Sequence, residues 1–528
     1  MTDLRRSGSS SIFSCQNRDP IKLSVHSGTA HRRRQNAVAI GKERRNALMR
    51  TKRLRLDGVD CNDDGVLVEG SGMIVDQRNI DLNAQISRAV EGLRSSISFV
   101  GQGSAQKISQ TLCYLRQILS NSGAPPVEVA IQAGAVPILG HCLLVCLPDE
   151  QLLDAAWCLT NIAAGESEQT KAILPALPML IANLGEKSSV SVREQCAWAL
   201  GNAASEECLR NTLVSHGALL PLALMLQSDN SSLARISAWT LCNLIKGSDS
   251  NTAMELIMIN GVSEAIIKNL KNVEDELSTE VSWIVTYLSA LSQNATSILV
   301  RNGIIPLLVE NLQKSKSLNS IIPILRSLGN CVVGDSHTIN GVLLAGQNIT
   351  NDLISLLVKY MESEHNRFMK KEATRLVSKI AAASFKHKQL MYSSKTTRVL
   401  LHLLSTATFD VRKEAAYALG SLCVVTLSED DRKSIILTDH LVSIVEGGCL
   451  SGFIVLVKSP DFEAAKFGLH FLELVLRGMP NGQGPKLVEK EDGIDAIERF
   501  QFHKNDDIRN MANYLLDVYF GEAYRGLE

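Results

Sequence analysis

Three tryptophans recur at an interval of 41 residues, and each is followed four residues later by an asparagine. The segments DAAWCLTN, QCAWALGN and ISAWTLCN contain the pairs Trp157 with Asn161, Trp198 with Asn202, and Trp239 with Asn243. Residues four apart share one face of a helix, so each pair presents an indole beside a carboxamide. The carboxamide both donates and accepts hydrogen bonds, which is what binding a peptide unit requires. The indole face attracts the cationic groups and methylene stems of Lys and Arg.

The interval also fits the dimensions of an extended ligand. Neighbouring helices pack about 8–10 Å apart, and an extended peptide advances about 3.3 Å per residue. One repeat therefore corresponds to roughly three ligand residues. We predict that the ladder of pairs binds the main chain of an extended basic peptide, with cationic side chains between the indoles.

A purely structural role for these residues is the alternative. A single tryptophan on a helix is usually part of the core, and a single asparagine is usually an ordinary surface residue. Three identical pairs in register favour a shared surface role. Core packing gives no evident reason to repeat an asparagine, because its amide would need a buried partner.

The pattern of a tryptophan followed four residues later by an asparagine is called here the Trp/Asn frame. Weaker copies of it continue toward the C-terminus. They are Trp283 with Tyr287, Arg326 with Asn330, Arg375 with Lys379, and Tyr417 with Ser421. The copies therefore lose first the amide, then the indole, and finally both.

The frame needs a repeated helical unit to position it. Phrases such as IQAGAVPILGHCL and VRNGIIPLLVENL separate successive copies; their glycine is typical of a helix end, and their proline fits the first turn of the next helix. Each unit is predicted to contain a helix, a glycine turn, a second helix and the helix with the Trp/Asn frame. A period of about 40–47 residues is typical of armadillo and HEAT repeats. We predict an all-α, right-handed superhelical solenoid of about ten armadillo repeats over residues 88–515.

The charge of the chain is unevenly distributed. Residues 1–56 contain 14 basic and three acidic side chains, whereas the other 472 residues contain 40 basic and 52 acidic ones. We predict a basic N-terminal arm at 1–56, helical over 31–56, then a linker at 57–87 and, after the repeats, a tail at 516–528. A basic arm on an acidic body favours an intramolecular partner. Nucleic acid and membrane surfaces are the alternatives, and we expect neither specific nucleic-acid recognition nor membrane insertion.

Several function classes lack their sequence signals. The 12 cysteines form no CxxC pair, and although Cys142 and Cys146 share a helical face, we predict no metal site. No apolar run reaches about 18 residues and no secretory signal begins the chain, so we expect a soluble intracellular protein. Without a phosphate-binding glycine loop or a nucleophile elbow, we predict neither enzymatic activity nor a cofactor.

At these motifs the sequence resembles the importin alpha family, the armadillo-repeat adaptors of nuclear import. AWCLTNIAAGESEQTKAIL, AWALGN and AWTLCNLIKG resemble its second, third and fourth repeats, and WIVTYLSAL and LRSLGNCVVG its fifth and sixth. QFHKNDDIRNMANYLLDVYF resembles its last repeat, and HRRRQNAVAIGKERRNALMRTKR its importin-beta-binding segment. The resemblance covers nearly the whole chain. NRDPIKLSV and RGMPNGQGPKLVEKEDGIDA resemble a divergent plant branch of the family.

The resemblance implies a larger site over repeats two to four that binds nuclear localisation signals rich in lysine or arginine. Its positions here are Trp157, Asn161, Gly165, Thr170, Gln195, Trp198, Asn202, Glu206, Trp239, Asn243 and Glu280. Gly165, Thr170 and Glu206 match positions around the deepest lysine pocket. Glu206 and Glu280 each replace an aspartate of the family. These carboxylates are expected to pair with cations of the peptide.

The resemblance also implies a smaller site over repeats six to eight, which is altered in this chain. Its positions are Arg326, Asn330, Glu372, Arg375, Lys379, Glu414, Tyr417 and Ser421. Arg375 and Lys379 replace a Trp and an Asn, so two cations stand where a cationic peptide would bind. Like charges about 4 Å apart cost on the order of 4 kcal/mol at an effective dielectric constant of 20. We therefore predict a preference for signals with a single basic cluster.

For the arm, the resemblance implies binding to importin beta. The matching cations are Arg32, Arg33, Arg34, Lys42, Arg44, Arg45, Lys52 and Arg53. Lys52 and Arg53 match the part that mimics a cargo signal, so the arm is expected to compete for the groove until importin beta removes it. The family further implies an export receptor for recycling, and shuttling between cytoplasm and nucleus. The rival hypothesis is an armadillo scaffold for signalling or protein turnover; an acidic body with Trp–Asn pairs argues against it.

Overall fold

A computed structural model describes residues 72–98, 104–121, 125–145, 147–271, 276–332, 347–364, 366–383, 385–392, 395–426 and 434–521. These residues belong to two compact units, named here the N-terminal unit (72–332) and the C-terminal unit (347–521). The predicted arm at 1–56, the first part of the predicted linker, Cys146 and residues 522–528 lie outside the described residues.

The N-terminal unit consists of helices in its described part. They are α1 (Gly72–Ser98), α2 (Ser104–Asn121), α3 (Val127–Gln132), α4 (Ala135–Cys142), α5 (Asp149–Ala163), α6 (Ser167–Lys171), a 3-10 turn (Leu174–Ala176), α7 (Leu177–Ala182), α8 (Val190–Ala204), α9 (Glu207–Ser215), α10 (Leu219–Leu226), α11 (Ser231–Ile245), α12 (Ser250–Met258), α13 (Val262–Leu270), α14 (Glu276–Leu291), α15 (Gln293–Arg301), α16 (Ile304–Lys314) and α17 (Leu318–Cys331). Two short helices alternate with one long helix, as the repeat predicts.

In its described residues the C-terminal unit shows the same pattern and one short hairpin. Its elements are α18 (Gln347–Glu362), α19 (Arg367–Ala381), α20 (Phe385–Tyr392), α21 (Thr396–Thr406), α22 (Phe409–Leu422), β1 (Val424–Thr426), β2 (Ser434–Ile436), α23 (Thr438–Glu446), α24 (Leu450–Val457), α25 (Phe462–Gly478), a 3-10 turn (Pro480–Gly482), α26 (Gly484–Lys490), α27 (Gly493–Glu498) and α28 (Asp506–Phe520). The all-α armadillo prediction is confirmed, apart from this antiparallel hairpin, in which Val424 lies opposite Ile436. Its β-branched residues favour strand over helix.

Glycines separate the two short helices of successive repeats. Five of them have φ between 80° and 83°: Gly134, Gly217, Gly261, Gly303 and Gly448. A side chain is strained in this left-handed conformation, so the turn requires glycine. In α4, α10 and α16 a proline follows as the third residue, where no intrahelical partner for its nitrogen is needed. The glycine turns predicted from the sequence are therefore confirmed.

The long helices stack on one another within each unit and position the Trp/Asn frame. In the N-terminal unit α2, α5, α8, α11, α14 and α17 contact each other in this order, and in the C-terminal unit α19, α22, α25 and α28 do so. Leu159, Leu200 and Leu241, at equivalent positions of α5, α8 and α11, are at most 1% exposed. Since each repeat buries its apolar face on the next, the stack supplies the core.

Helices extend beyond both predicted ends of the repeat array. Helix α1 begins at Gly72, within the predicted linker, and α28 ends at Phe520 rather than at 515. Ile86 and Val90 of α1 are buried, which anchors this helix in the core. Once a helix is anchored, adding further residues at its end costs little. Within the described residues no single helix is long and apolar enough to cross a membrane; α9–α10 and α23–α24 pass such a test only as pairs, bent by 89° and 88°.

Candidate functional site

The three predicted Trp–Asn pairs occupy equivalent places in three stacked helices. Each tryptophan is the ninth residue of its helix and each asparagine the thirteenth, in α5, α8 and α11. Trp157, Asn161 and Trp198 are half-buried, whereas Asn202, Trp239 and Asn243 are 1%, 6% and 8% exposed. The pairs therefore hold equivalent positions along the helix stack, with the later pairs set deeper.

Two arginines flank the row of four indoles. The guanidinium of Arg116 lies 5.3 Å from the ring centre of Trp157, and that of Arg326 lies 5.6 Å from the ring centre of Trp283. Asp154 holds Arg116 through a 3.0 Å ion pair. Both contacts are cation–π interactions, so the faces of these indoles already attract cations of the chain itself. Arg116 was missed in the sequence, although it lies 41 residues before Trp157 and continues the frame.

The middle of the row is more closed than the sequence suggests. The ring centres of Trp198 and Trp239 are 5.6 Å apart and the rings are tilted by 43°. A methylene stem placed between two rings needs about 7–8 Å, since each contact takes about 4 Å. At this pair the insertion of a cation between indoles therefore requires the rings to separate. Trp239 approaches closely because Gly201 has no side chain beneath it; a Cβ there would lie 2.1 Å from Trp239 Cζ3.

The asparagine amides are oriented by the preceding repeat. Their Nδ2 atoms donate as follows: Asn161 to Ser120 Oγ (2.9 Å), Asn202 to the Thr160 carbonyl (3.3 Å), Asn243 to the Gly201 carbonyl (3.1 Å) and Asn330 to the Thr286 carbonyl (3.1 Å). Each bond uses one of the two hydrogens of the amide nitrogen. It fixes the plane of the amide. Asn330 Nδ2 also donates to Ser289 Oγ over 3.2 Å, and Asn202 Oδ1 is buried without a hydrogen bond to the described residues.

A second asparagine ladder lies on the short helices, and sequence reasoning missed it. Asn183, Asn269 and Asn311 are buried, and their Nδ2 atoms donate to the carbonyls of Leu143, Leu226 and Leu270 over 2.7–3.1 Å. The statement that core packing gives no reason to repeat an asparagine is therefore wrong, because a buried main-chain carbonyl is such a reason. What distinguishes the first ladder is the tryptophan beside each amide.

The residues predicted around the lysine pocket gather where α5 ends and α6 begins. Thr170 is 1% exposed, and its hydroxyl donates to the main chain, with the Ala163 carbonyl at 2.9 Å. A Cβ at Gly165 would lie 2.1 Å from Gln169 Oε1, so a side chain there would displace the Gln169 amide. Glu206 accepts a 2.8 Å hydrogen bond from Ser167 Oγ. Ser167 thus connects the Glu206 carboxylate, which is one methylene longer than that of an aspartate, to the start of α6. The sequence did not indicate Ser167 as a partner of Glu206.

Two further predicted residues lie beside the ladder. Gln195 is buried one turn before Trp198, and its Nε2 donates to Thr160 Oγ1 over 2.7 Å, which ties α8 to α5. Glu280 is 5% exposed and lies one turn before Trp283 in α14. The Trp283 ring stacks on the Tyr287 ring with their centres 5.9 Å apart. A carboxylate so near the row is placed to attract cations.

The residues predicted for the smaller site are divided between the two units. Arg326 and Asn330 lie on α17 of the N-terminal unit, and the others lie on α19 and α22 of the C-terminal unit. There Lys379 and Ser421 are buried, and Tyr417 packs edge-on against Phe467 with ring centres 4.5 Å apart. The C-terminal part is thus largely filled by its own side chains.

Arg375 of this group is paired rather than free. Its Nε lies 2.9 Å from Glu414 Oε1, and its Nη1 lies 3.3 Å from Glu372 Oε2. Burial by itself lowers the pKa of the Arg375 guanidinium, but Glu414 and Glu372 outweigh it and raise the pKa above its ordinary value. Two carboxylates therefore balance the charge of Arg375, which the predicted repulsion between cations did not take into account.

Comparison with known proteins identifies the repeats and the family. Residues 123–164 match an armadillo/beta-catenin-like repeat, residues 149–203 a HEAT-like repeat and residues 486–526 an atypical Arm repeat. Importin subunit alpha-9 of Arabidopsis thaliana is 54% identical over 508 residues, which cover 96% of this chain and 97% of that protein. The chain belongs to the importin alpha family. As an importin alpha, it is an armadillo-repeat adaptor of nuclear import.

Other similarities extend the assignment. Importin subunit alpha-2 of Oryza sativa subsp. japonica is 51% identical to this importin alpha over 508 residues, 96% of each chain. The crystal structure of an engineered protein superimposes with a TM-score of 0.68 at 23% identity, covering 81% of this chain and 98% of the other. At that identity the superposition supports the fold alone.

The Ser167–Glu206 hydrogen bond gives a first test of the pocket in this importin alpha. Ser167→Ala is expected to weaken binding of a lysine-rich peptide about three- to tenfold, because the Glu206 carboxylate loses its positioning donor. Ser215→Ala is the matched control, since that hydroxyl donates to Thr212 within its own helix. Fluorescence anisotropy with a labelled peptide measures both, and equal affinities in the two variants would contradict the positioning role.

Proposed function

We propose that the N-terminal unit binds the lysine- or arginine-rich nuclear localisation signal of cargo along its Trp–Asn ladder. The observation that supports this most is the equivalent placement of indole and oriented amide in α5, α8 and α11. The amides supply hydrogen bonds to an extended main chain, and the indoles supply faces for its cations. Glu206 and Glu280 add the negative charge that such a ligand needs.

The proposal extends to the receptor and the transport cycle. Importin beta binds the arm at residues 1–56, an export receptor returns the adaptor after release of cargo, and the protein shuttles between cytoplasm and nucleus. The basis is the match of the arm to the importin-beta-binding segment of the family and the 54% identity to an importin alpha subunit. Neither role requires a cofactor, specific nucleic acid or membrane insertion.

Peptide titration of the full chain tests the binding function. A labelled peptide with one lysine cluster is expected to bind, and the same peptide with glutamate at each lysine position is not, because the indoles and carboxylates favour cations. Raising the salt concentration is expected to weaken the interaction, since exposed charges are screened. Equal binding of both peptides, or of neither, would refute the proposal.

The arm gives a separate prediction about regulation. Deletion of residues 1–56 is expected to strengthen binding of the labelled peptide, about three- to tenfold, because a tethered competitor is removed. The deletion is also expected to abolish binding to importin beta.

Lys52→Ala together with Arg53→Ala is the matched variant for this test. It is expected to relieve competition while it retains most of the other arm cations, so binding to importin beta persists. Unchanged peptide affinity in both proteins would show that the arm does not compete for the groove.

A further inference from the structure

Two carboxylates of the C-terminal unit share one guanidinium. Glu372 on α19 and Glu414 on α22 are 3% and 7% exposed, and Arg375 lies between them with N···O distances of 3.3 and 2.9 Å. The Arg375 side chain itself is 15% exposed. The guanidinium thus joins two neighbouring long helices and leaves little of its charge in contact with solvent.

These three residues occupy the frame that, in the proposed function, binds cations in the other unit. Arg375 is the ninth residue of α19, the place that Trp198 holds in α8. Glu372 comes three residues before it, as Gln195 comes before Trp198 and Glu280 before Trp283. The carboxylates at this position are therefore the groups that would pair with a bound lysine, and the chain supplies its own cation to them.

A ligand would have to displace this internal cation. A lysine could reach Glu372 or Glu414 only by breaking a buried ion pair, and the guanidinium would then remain buried with one partner fewer. Such an exchange is unfavourable, because an unpaired buried charge loses its hydration without compensation. Bidentate or shared guanidinium–carboxylate contacts are also stronger than those of a flexible ammonium group.

We propose that Arg375 is an internal ligand that occupies the second basic-peptide site and thereby restricts this importin alpha to signals with one basic cluster. The inference rests on the proposed peptide-binding function of the N-terminal unit. In this proposal the second basic cluster is excluded because Arg375 occupies its site, and not because Arg375 repels it. Arg375 is then a determinant of cargo specificity.

The test compares two labelled peptides, one with a single lysine cluster and one with a second cluster joined by a flexible linker. For each protein the ratio of the two affinities is measured, so that any general effect on the groove cancels. In the wild type the ratio is expected to be close to one. In Arg375→Trp the second cluster is expected to improve affinity about tenfold, because Arg375 no longer pairs with Glu372 and Glu414 and the second cluster binds in cis.

Two matched variants separate occupation from charge. Arg375→Lys retains an internal cation, and Lys379→Asn removes the neighbouring charge but leaves the guanidinium in place. Both variants are expected to keep the affinity ratio within about twofold of the wild type. This change is small compared with the roughly tenfold gain expected from a second contact in cis. Should Arg375→Trp fail to fold, as judged by circular dichroism, Arg375→Gln gives the same test, with an expected rise in the ratio.

The outcomes distinguish the two proposals. If the wild type binds neither peptide, the proposed function itself fails. If it binds the single-cluster peptide but the ratio does not rise in folded Arg375→Trp or Arg375→Gln, or rises equally in Lys379→Asn, Arg375 is not an internal ligand.

Discussion

Replacing Asn161, Asn202 and Asn243 together by alanine is expected to weaken binding of a single-cluster lysine peptide by about a hundredfold or more. Each amide is held by the preceding repeat, and in the proposed function it bonds one peptide unit of the ligand. A hydrogen bond contributes about 1 kcal/mol, so three lost bonds correspond to about two factors of ten. Anisotropy or calorimetric titration measures the loss.

The second asparagine ladder supplies a closely matched control. Asn183→Ala, Asn269→Ala and Asn311→Ala remove three amides that donate to main-chain carbonyls in the same way but have no tryptophan beside them. Both triple variants are expected to lower the melting temperature, because each breaks buried hydrogen bonds. Only the first is expected to lose peptide affinity. A similar loss in both would mean that the ladder acts on stability alone.

Gly201→Ala is expected to destabilise the N-terminal unit by about 1–3 kcal/mol, the usual cost of an added group in a filled core. The new Cβ would lie 2.1 Å from Trp239 Cζ3 and 2.9 Å from Thr240 Oγ1. Trp239 is 6% exposed and must move, so its fluorescence is expected to shift to the red. Thermal unfolding and emission spectra measure the two effects, and peptide affinity is expected to fall with them.

Gly92→Ala is the matched control, since Gly92 also lies within a helix. No atom lies within 4 Å of a Cβ built there, so the substitution is expected to be neutral or to stabilise the helix by up to about 1 kcal/mol. If Gly201→Ala is as stable as Gly92→Ala, the close approach of Trp239 is not a constraint on the groove.

The repeat was predictable because its signals are local or strictly periodic. Glycines such as Gly217 are required by a left-handed backbone conformation that other residues avoid, and an interval of 41 residues places tryptophans at one position of successive helices. The short hairpin was not predictable in this way, because its β-branched residues are also common in helices of a packed core.

The hydrogen-bond and ion-pair partners of the site residues were harder to predict from the sequence. The partners of Arg375, Glu206 and Asn202 lie up to 42 residues away or on another helix, and which of them meet depends on packing. Sequence reasoning thus placed Arg375 in the frame but did not find its two carboxylate partners. It also missed the buried Asn183 ladder, whose purpose becomes visible only through its carbonyl partners.

The bonds from each amide to the previous long helix have a consequence for exchanging repeats between proteins. The amide of one repeat is aimed by an atom of the repeat before it, as Asn243 is by the Gly201 carbonyl. A repeat transferred alone into another protein would therefore place its amide next to a different preceding repeat. The atom that orients the amide would then be absent or displaced. The smallest transferable module for ligand recognition in this protein is two adjacent repeats rather than one.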